Sequence, residues 1–285
     1  MQCGTKNPYR TEKRLNTMIE RFENTDITMI RELLADEPDL LIRFQTGQAA
    51  LDLLYFDAWV QRDEQGEVHG LIFRSYGDFF ISGDKEMDLE EAASFLGFMP
   101  MLYSLSGNDE LLEGLVPMLK RVRSTTVCGV ARQEEAPELP VGPIAFCEAA
   151  CAEDYRKAYD LIKRAGESEL SDFEEYYITR RGLNKKDCGR TYFLGSSDSA
   201  YSPVSTTGEG DGMALLTDVV TDENRRRMGH SSALVTQICF DLHAAGLIPH
   251  VTYSTSQAEH FFARLGFRPC GQFTYVRFDP LIDFD

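Results

Sequence analysis

The segment that decides the fold is DVVTDENRRRMGHSSALV, which runs from Asp218 to Val235. It predicts a buried strand that ends at Thr221, a polar turn with three consecutive arginines, and a helix that begins at Gly229. Backbone N–H groups at a helix start have no partner inside the helix and carry the positive end of its dipole. A glycine there lets a ligand approach the backbone, because it has no Cβ. The segment predicts an anion site, with a solvated helix cap as the alternative.

The three arginines stand out because the chain as a whole is acidic. Its 285 residues include 46 Asp and Glu against 29 Lys and Arg, which gives a formal net charge of −17. An acidic surface repels phosphate backbones, so the charge argues against a general nucleic-acid binder. Arg225, Arg226 and Arg227 concentrate positive charge at one turn, which favours a phosphate ligand at that place.

The composition is that of a globular protein, with 43% hydrophobic and 26% charged residues. No apolar run approaches the ~20 residues that span a bilayer, and the start of the chain lacks the apolar stretch of a secretory signal. The 7 cysteines are an odd number scattered along the chain, a pattern typical of reduced thiols. We therefore expect a cytoplasmic protein without membrane contact.

A boundary between two domains is predicted at Arg132 to Pro143, RQEEAPELPVGP, which is rich in Pro and Glu. It separates a domain at residues 1–135 from a domain at residues 143–285. Both halves alternate helical and strand periodicity, which predicts two tandem α+β domains.

Two motifs in the second half resemble a known family. Arg226-Arg227-Met228-Gly229-His230-Ser231 resembles the R/Q-x-x-G-x-G/A acyl-CoA loop of the GCN5-related N-acetyltransferases, and a helix starting Ser232-Ala233-Leu234 follows it. Downstream, AEHFFARLGF at residues 258–267 resembles the family signature A-x-x-L-Y-x-x-L-G-F. The motifs occur in the family's order, separated by a helix and a strand. The resemblance covers residues 143–285 and implies the acyl-CoA N-acyltransferase fold there, an α+β fold with a mixed, mostly antiparallel sheet flanked by helices.

The first half resembles the same family more weakly. Residues 25–100 are predicted to follow the order helix, three strands, helix, which is similar to the opening of that fold, but they contain no arginine–glycine loop. We interpret this half as a degenerate acetyltransferase-like domain that has lost its cofactor loop. The alternative is an unrelated α+β domain that covers the acceptor side.

The resemblance also implies how acetyl-CoA is held. The pyrophosphate would rest on the backbone from Arg227 to Ser232, while backbone N–H groups of Val219 and Thr221 would bind the pantetheine and the thioester carbonyl. Ser231 replaces the usual Gly or Ala, and its short side chain is able to donate to a phosphate. The predicted coenzyme-binding residues are Val219, Val220, Thr221, Arg226, Arg227, Met228, Gly229, His230, Ser231 and Ser232.

The predicted catalytic residue is Asp218, the only acidic residue inside the apolar strand. A carboxylate there could accept the proton of an attacking amine, directly or through one water. The alternatives are that Asp218 pairs with an arginine or binds a cationic substrate. Phe262 stands where many relatives carry a tyrosine that protonates the leaving thiolate, and phenylalanine donates no proton. Tyr253 and Tyr275 could replace that tyrosine, but packing of the last strands explains both equally well.

We expect an N-acetyltransferase that moves an acetyl group from acetyl-CoA to a small amine by direct attack. The net charge favours encounter with a cationic acceptor. No metal is expected, because Cys147 and Cys151 lack a second ligand pair. The oligomeric state is left open between monomer and homodimer. The alternative function is a catalytically silent acyl-CoA-binding module used for sensing or assembly.

Overall fold

The computed structural model describes residues 18–50, 55–139, 145–165, 172–195 and 199–279. Contacts within the chain divide it into two compact units. Unit 1 draws on Met1–Leu41, Tyr55–Gly129 and Gly271–Asp285, and unit 2 draws on Ile42–Leu54 and Val130–Cys270. Neither unit is continuous in sequence.

The two halves of the sequence follow the same order of elements: one strand, two helices, three strands, then helix, strand, helix and strand. The first half forms β1 (Met18–Arg21), α1 (Ile27–Leu33), α2 (Pro38–Ala49), β2 (Phe56–Arg62), β3 (Val68–Ser75), β4 (Asp78–Gly83), α3 (Leu89–Phe98), β5 (Ser104–Gly107), α4 (Asp109–Leu115) and β6 (Val122–Arg132). The second half forms β7 (Cys147–Glu148), α5 (Ala152–Ala165), α6 (Phe173–Lys185), β8 (Thr191–Gly195), β9 (Ala200–Gly210), β10 (Met213–Thr217), α7 (His230–Ala244), β11 (Ile248–Tyr253), α8 (Ser256–Arg264) and β12 (Arg268–Phe278).

Strand pairing repeats as well. In unit 1 the order is β1-β2-β3-β4-β5-β12, with β4 and β5 parallel and the other pairs of known register antiparallel. In unit 2, β7, β8, β9 and β10 pair in antiparallel order and β10 runs parallel to β11. The predicted α+β class with a mixed, mostly antiparallel sheet flanked by helices is confirmed.

Each unit contains chain from the other half of the sequence. In unit 1, Thr274–Arg277 of β12 pairs with β5. In unit 2, the backbone just after β6 joins β11, since the N–H of Gln133 donates to the carbonyl of Pro249 at 3.0 Å. The predicted division at residues 135–143 follows composition, whereas these units follow strand pairing. Periodicity shows which face of a strand is buried but not which strand lies beside it.

Helices cover both faces of the unit 2 sheet. On one face, α7 and α8 bury Leu234, Ile238 and Phe262 against the sheet. On the other face, α5 and α6 bury Tyr155 and Tyr176, and Val220 packs among these aromatic residues. The helix predicted at 229–245 is present as α7, whereas the strand predicted to reach Thr221 ends at Thr217.

Candidate functional site

The candidate site lies where the parallel strands of unit 2 stop pairing. The register of β10 and β11 ends at Leu216 and Val251, although β11 continues to Tyr253. Immediately afterwards Asp218 has a φ of +56°, in the left-handed region that non-glycine residues seldom adopt. This turn directs the chain away from β11. The two strands are therefore unpaired beyond Leu216 and Val251, and we call this unpaired region the gap.

Residues 219–222 follow the end of β10, and we call them the strand segment. Their N–H groups point alternately toward β9 and away from it. The N–H of Val220 donates to the carbonyl of Pro203 at 3.4 Å, and that of Asp222 donates to Tyr201 at 2.8 Å, both on β9. Successive N–H groups of an extended chain point in opposite directions. Those of Val219 and Thr221 thus face away from β9, on the side of the gap, and take no backbone acceptor within the described residues.

The turn before α7 is open at its glycine. Gly229 is the N-terminal capping residue of α7 and has a φ of +79°. A Cβ built on it would meet no heavy atom within 4 Å, so nothing in the structure fills the space beside it. The first N–H groups of α7 therefore remain open to a ligand, and this arrangement fits an anion.

Three arginines precede this glycine in the turn. The Arg225 guanidinium lies 4.6 Å from the centre of the Tyr201 ring. Arg226 lies 3.9 Å from a carboxylate oxygen of Glu223, and its side chain is half exposed. The side chain of Arg227 makes no ion pair with any described residue, and its φ is +63°. Met228, the next residue, is exposed.

Three hydroxyl groups tie the strand segment to the start of α7. Ser202 on β9 donates to the carbonyl of Val220 at 2.8 Å and lies 3.0 Å from the Ser231 hydroxyl. The Ser231 hydroxyl also forms a short hydrogen bond with Thr221. The Ser231 side chain is therefore already engaged by protein atoms, whereas its backbone N–H lies in the first turn of α7 with Ser232.

His230 contributes a buried polar atom at the same turn. Its Nε2 has no hydrogen-bond partner among the residues that the structure describes. Its ring centre lies 6.2 Å from that of Tyr201. The structure thus brings all ten residues predicted to bind the coenzyme into one turn and the strand segment beside it.

Asp218 forms an ion pair with an arginine. The sequence predicted such a pair as an alternative but did not indicate which arginine takes part. Oδ2 of Asp218 lies 2.7 Å from Nη2 of Arg180 on α6, and the two side chains are 8% and 14% exposed. Arg180 also donates to the Thr217 hydroxyl at 2.9 Å and to the Thr206 carbonyl at 3.3 Å. These contacts fix the guanidinium against β9 and β10. The catalytic role of Asp218 stays a prediction.

Tyr176, one helical turn before Arg180, was missed by sequence reasoning. It is buried, and the Arg180 guanidinium lies 5.8 Å from the centre of its ring. Burial, and secondly the negative charge of Asp218, raises the pKa of Tyr176. A signal was present in the sequence, because residues four apart on an amphipathic helix share a face. Tyr176, Arg180 and Asp218 form a polar cluster on the side of the sheet covered by α5 and α6.

No tyrosine occupies the position of the family's proton donor. Phe262 is buried in the core, with its ring centre 5.5 Å from that of Phe267. Tyr253 is the last residue of β11 and borders the gap; burial, followed by the charge of Glu259, raises its pKa. Tyr275 pairs with Ser106 in unit 1 and is not part of this cluster.

Two further properties of the described residues bear on the kind of site. No group of three or more His, Cys, Asp and Glu side chains among them could hold a metal ion. None of the helices in these residues is long and apolar enough to cross a membrane.

Comparisons of sequence alone find nothing similar: no protein-family model matches the chain, and no curated protein does. Solved structures do match. A GCN5-related N-acetyltransferase from Sphaerobacter thermophilus is 16% identical with a TM-score of 0.63, over 94% of this chain and 98% of that chain. A GCN5-related N-acetyltransferase-like protein from Streptococcus suis is 15% identical with a TM-score of 0.57, over 90% and 99%. A Drosophila protein is 11% identical with a TM-score of 0.69, over 93% and 99%. The chain has the fold of the GCN5-related N-acetyltransferases over almost its whole length.

Proposed function

We propose that the chain is an acyl-CoA-dependent N-acetyltransferase that moves the acetyl group of acetyl-CoA to the amine of a small acceptor. One observation carries the proposal: the open turn at Gly229 lies beside a strand segment whose N–H groups face a gap in the sheet. The turn suits a diphosphate and the segment suits an extended arm that ends in a thioester. The fold of the solved structures supports the same reaction class.

In this proposal the chain contributes binding and charge stabilisation rather than a covalent intermediate. The N–H groups at the start of α7, with Arg226 and Arg227, hold the pyrophosphate. Those of Val219 and Thr221 hold the pantetheine and stabilise the negative charge that develops on the thioester oxygen. The amine nitrogen attacks the carbonyl carbon, and the carbon–sulfur bond breaks as the thiolate leaves. The thiolate takes its proton from water, because Phe262 stands in place of the usual tyrosine and cannot donate a proton.

The amine must be neutral when it attacks, so a group has to accept its proton. We propose Asp218 for this role. Its carboxylate is bound by Arg180 at only one of its two oxygens among the contacts of the described residues, which leaves the second oxygen for the amine or a bridging water. An amine that is cationic in solution fits this carboxylate and the acidic chain.

The binding proposal is tested with two matched glycine variants. Gly229 and Gly246 both have positive φ angles, +79° and +77°, and open space at a Cβ, but Gly246 lies at the other end of α7. Gly229→Val should abolish the calorimetric heat of acetyl-CoA binding, because its side chain enters the proposed site. Gly246→Val should retain the heat, and it is a matched control because both variants carry similar backbone strain. Equal binding by both variants, or equal affinity of the wild type for ADP and acetyl-CoA, would contradict the proposed site.

The catalytic proposal is tested by thiol release from acetyl-CoA over a panel of mono- and polyamines. Asp218→Asn should lower the rate with the preferred amine by about 10²-fold while acetyl-CoA affinity is unchanged.

A second candidate function is a silent acyl-CoA-binding module, which the buried Phe262 and the ion pair of Asp218 favour. Binding of acetyl-CoA without turnover, and indifference to Asp218→Asn, would support that module instead.

A further inference from the structure

Unit 1 has its own parallel strand pair, and this pair also parts. The register of β4 and β5 runs from Asp78–Ser104 to Ile81–Gly107. The first residues beyond the last pair are Ser82 on β4 and Asn108 after β5. Because the elements and pairings repeat, this point corresponds to the gap beyond Leu216 and Val251 in unit 2. Unit 1 therefore has the topological equivalent of the proposed thioester gap.

A carboxyl group of the protein lies between these two strand ends. Oε1 of Glu37 accepts a hydrogen bond from the Ser82 hydroxyl at 3.0 Å and another from the Asn108 side-chain amide at 3.2 Å. Glu37 stands directly before Pro38, the first residue of α2, so the connection between α1 and α2 delivers it. One oxygen atom thus bridges the residues that first separate on the two strands.

Within the described residues, the carboxyl group is held by hydrogen bonds and makes no ion pair. Ser82 is 1% exposed, and Asp39, which is 3% exposed, adds negative charge. Burial is the largest influence and raises the pKa of Glu37 to about 7, while the bonds from Asn108 and Ser82 oppose this rise. The position suits a carboxyl group that is neutral over much of the range below that pH.

The helix that follows β4 lacks the phosphate-binding features of α7. The side chain of Asp88 caps α3 by accepting from the N–H groups of Glu90 and Glu91. Both of those residues are acidic and lie in the first turn of the helix. In α7 the corresponding capping residue is Gly229, next to three arginines. The start of α3 thus offers a carboxylate where the start of α7 offers open N–H groups.

We infer that the strand opening of unit 1 is an internal carboxyl-binding site, with Ser82 and Asn108 as its donors and Glu37 as its ligand, so that only unit 2 binds acyl-CoA. The number of coenzymes per chain rests on the proposed function, but the carboxyl site does not. With the Glu37 side chain removed, the chemistry of the site selects a small monocarboxylic acid.

Chemical rescue of full-length Glu37→Ala tests the site. Thermal unfolding is followed near pH 5.5 with acetate or with sodium chloride at the same ionic strength. Acetate should raise the Tm of Glu37→Ala by about 3 °C and leave the wild type unchanged. The double variant Glu37→Ala/Ser82→Ala should lose most of this response. No response of folded Glu37→Ala, or the same response in the wild type, would overturn the site.

Glu37→Gln provides a test if Glu37→Ala does not fold, because glutamine keeps the accepting oxygen. Glu37→Gln should keep most of the wild-type Tm, whereas Glu37→Leu, which is similar in size but has no accepting oxygen, should lower it by several degrees. Equal Tm values for the two variants would overturn the assignment. Calorimetry with acetyl-CoA should give one site per chain, and two sites would overturn the inference for unit 1. Complete absence of heat would contradict the proposed function and leave the acetate result standing.

Discussion

At the scale of single residues, Asp218 and Arg180 are coupled more tightly than the sequence shows. Asp218 directly follows β10 and Arg180 lies on α6, and both side chains are largely buried. Removing one member of such a pair leaves the other charge buried without compensation, which costs more than the pair contributes. The pair therefore constrains any variant made to test catalysis.

We expect Arg180→Met to lower the free energy of unfolding by about 3 kcal/mol, because Asp218 would remain charged in a partly apolar site. The double variant Arg180→Met/Asp218→Asn should regain much of that loss, since the unpaired charge is gone. Urea unfolding of the four proteins in the cycle measures the coupling. Strictly additive losses would show that the two side chains do not stabilise each other.

Glu37 predicts a pH dependence of stability with a definite sign. The folded state holds a proton on Glu37 up to a pKa of about 7, whereas the ordinary value is 4.5. The stabilisation from this group is therefore complete below pH 4.5 and is lost as the pH rises through 7. Asp36 and Asp39 also raise the pKa, after burial.

Relative to Glu37→Gln, the wild type should thus lose about 3 kcal/mol of unfolding free energy between pH 4.5 and pH 8. Urea titrations at several pH values measure the difference between the two proteins, in which the other titrating groups cancel. A difference that stays constant with pH would mean that Glu37 keeps its ordinary pKa.

At the scale of elements, the join between the strand segment and α7 depends on the hydroxyls of Ser202, Thr221 and Ser231. We expect Ser231→Ala to lower the unfolding free energy by about 1 kcal/mol, because the hydroxyls of the buried Ser202 and the half-buried Thr221 lose a partner. Ser232→Ala, in the same turn, should cost less. Acetyl-CoA affinity should survive both changes, since Ser231 already bonds to protein. A tenfold loss of affinity in Ser231→Ala at unchanged stability would assign its hydroxyl to the phosphate.

The same element shows what sequence predicts well. The strand, the arginine turn and α7 could be predicted because local signals fix them: an apolar run, a glycine at a helix start and helical spacing. Arg180 and Tyr176 could not be placed at the site, because they lie about 40 residues before Asp218 and meet it only through the packing of α6. Glu37 was missed for the same reason, since Ser82 and Asn108 are remote in sequence.

At the scale of the whole molecule, the net charge of −17 acts on encounter rates rather than on the fold. If the acceptor is a polyamine, kcat/KM for that acceptor should fall several-fold when ionic strength rises from 0.02 to 0.3 M, because salt screens the attraction. A neutral hydroxylamine-type acceptor serves as the control and should change little. A polyamine rate that is insensitive to salt would exclude steering by the acidic surface.

The boundary between the units also lay beyond the reach of sequence. RQEEAPELPVGP has the composition of a linker. The units nevertheless divide within two strands: β6 passes from unit 1 to unit 2 after Gly129, and β12 passes from unit 2 to unit 1 after Cys270. Composition reports where a chain is exposed, whereas unit membership depends on which backbone edges meet. The domain limits 1–135 and 143–285 stay a prediction.

Because neither unit is continuous in sequence, the place at which the chain is cut matters. A cut near residue 140 would separate unit 1 from Gly271–Asp285, and would separate unit 2 from Ile42–Leu54 and from the residues that follow Gly129. Expressed separately, each would display a bare row of hydrogen-bonding groups and tend to aggregate. Co-expression supplies each unit with the chain that its own fragment lacks, so we expect more folded protein from the pair than from either fragment alone.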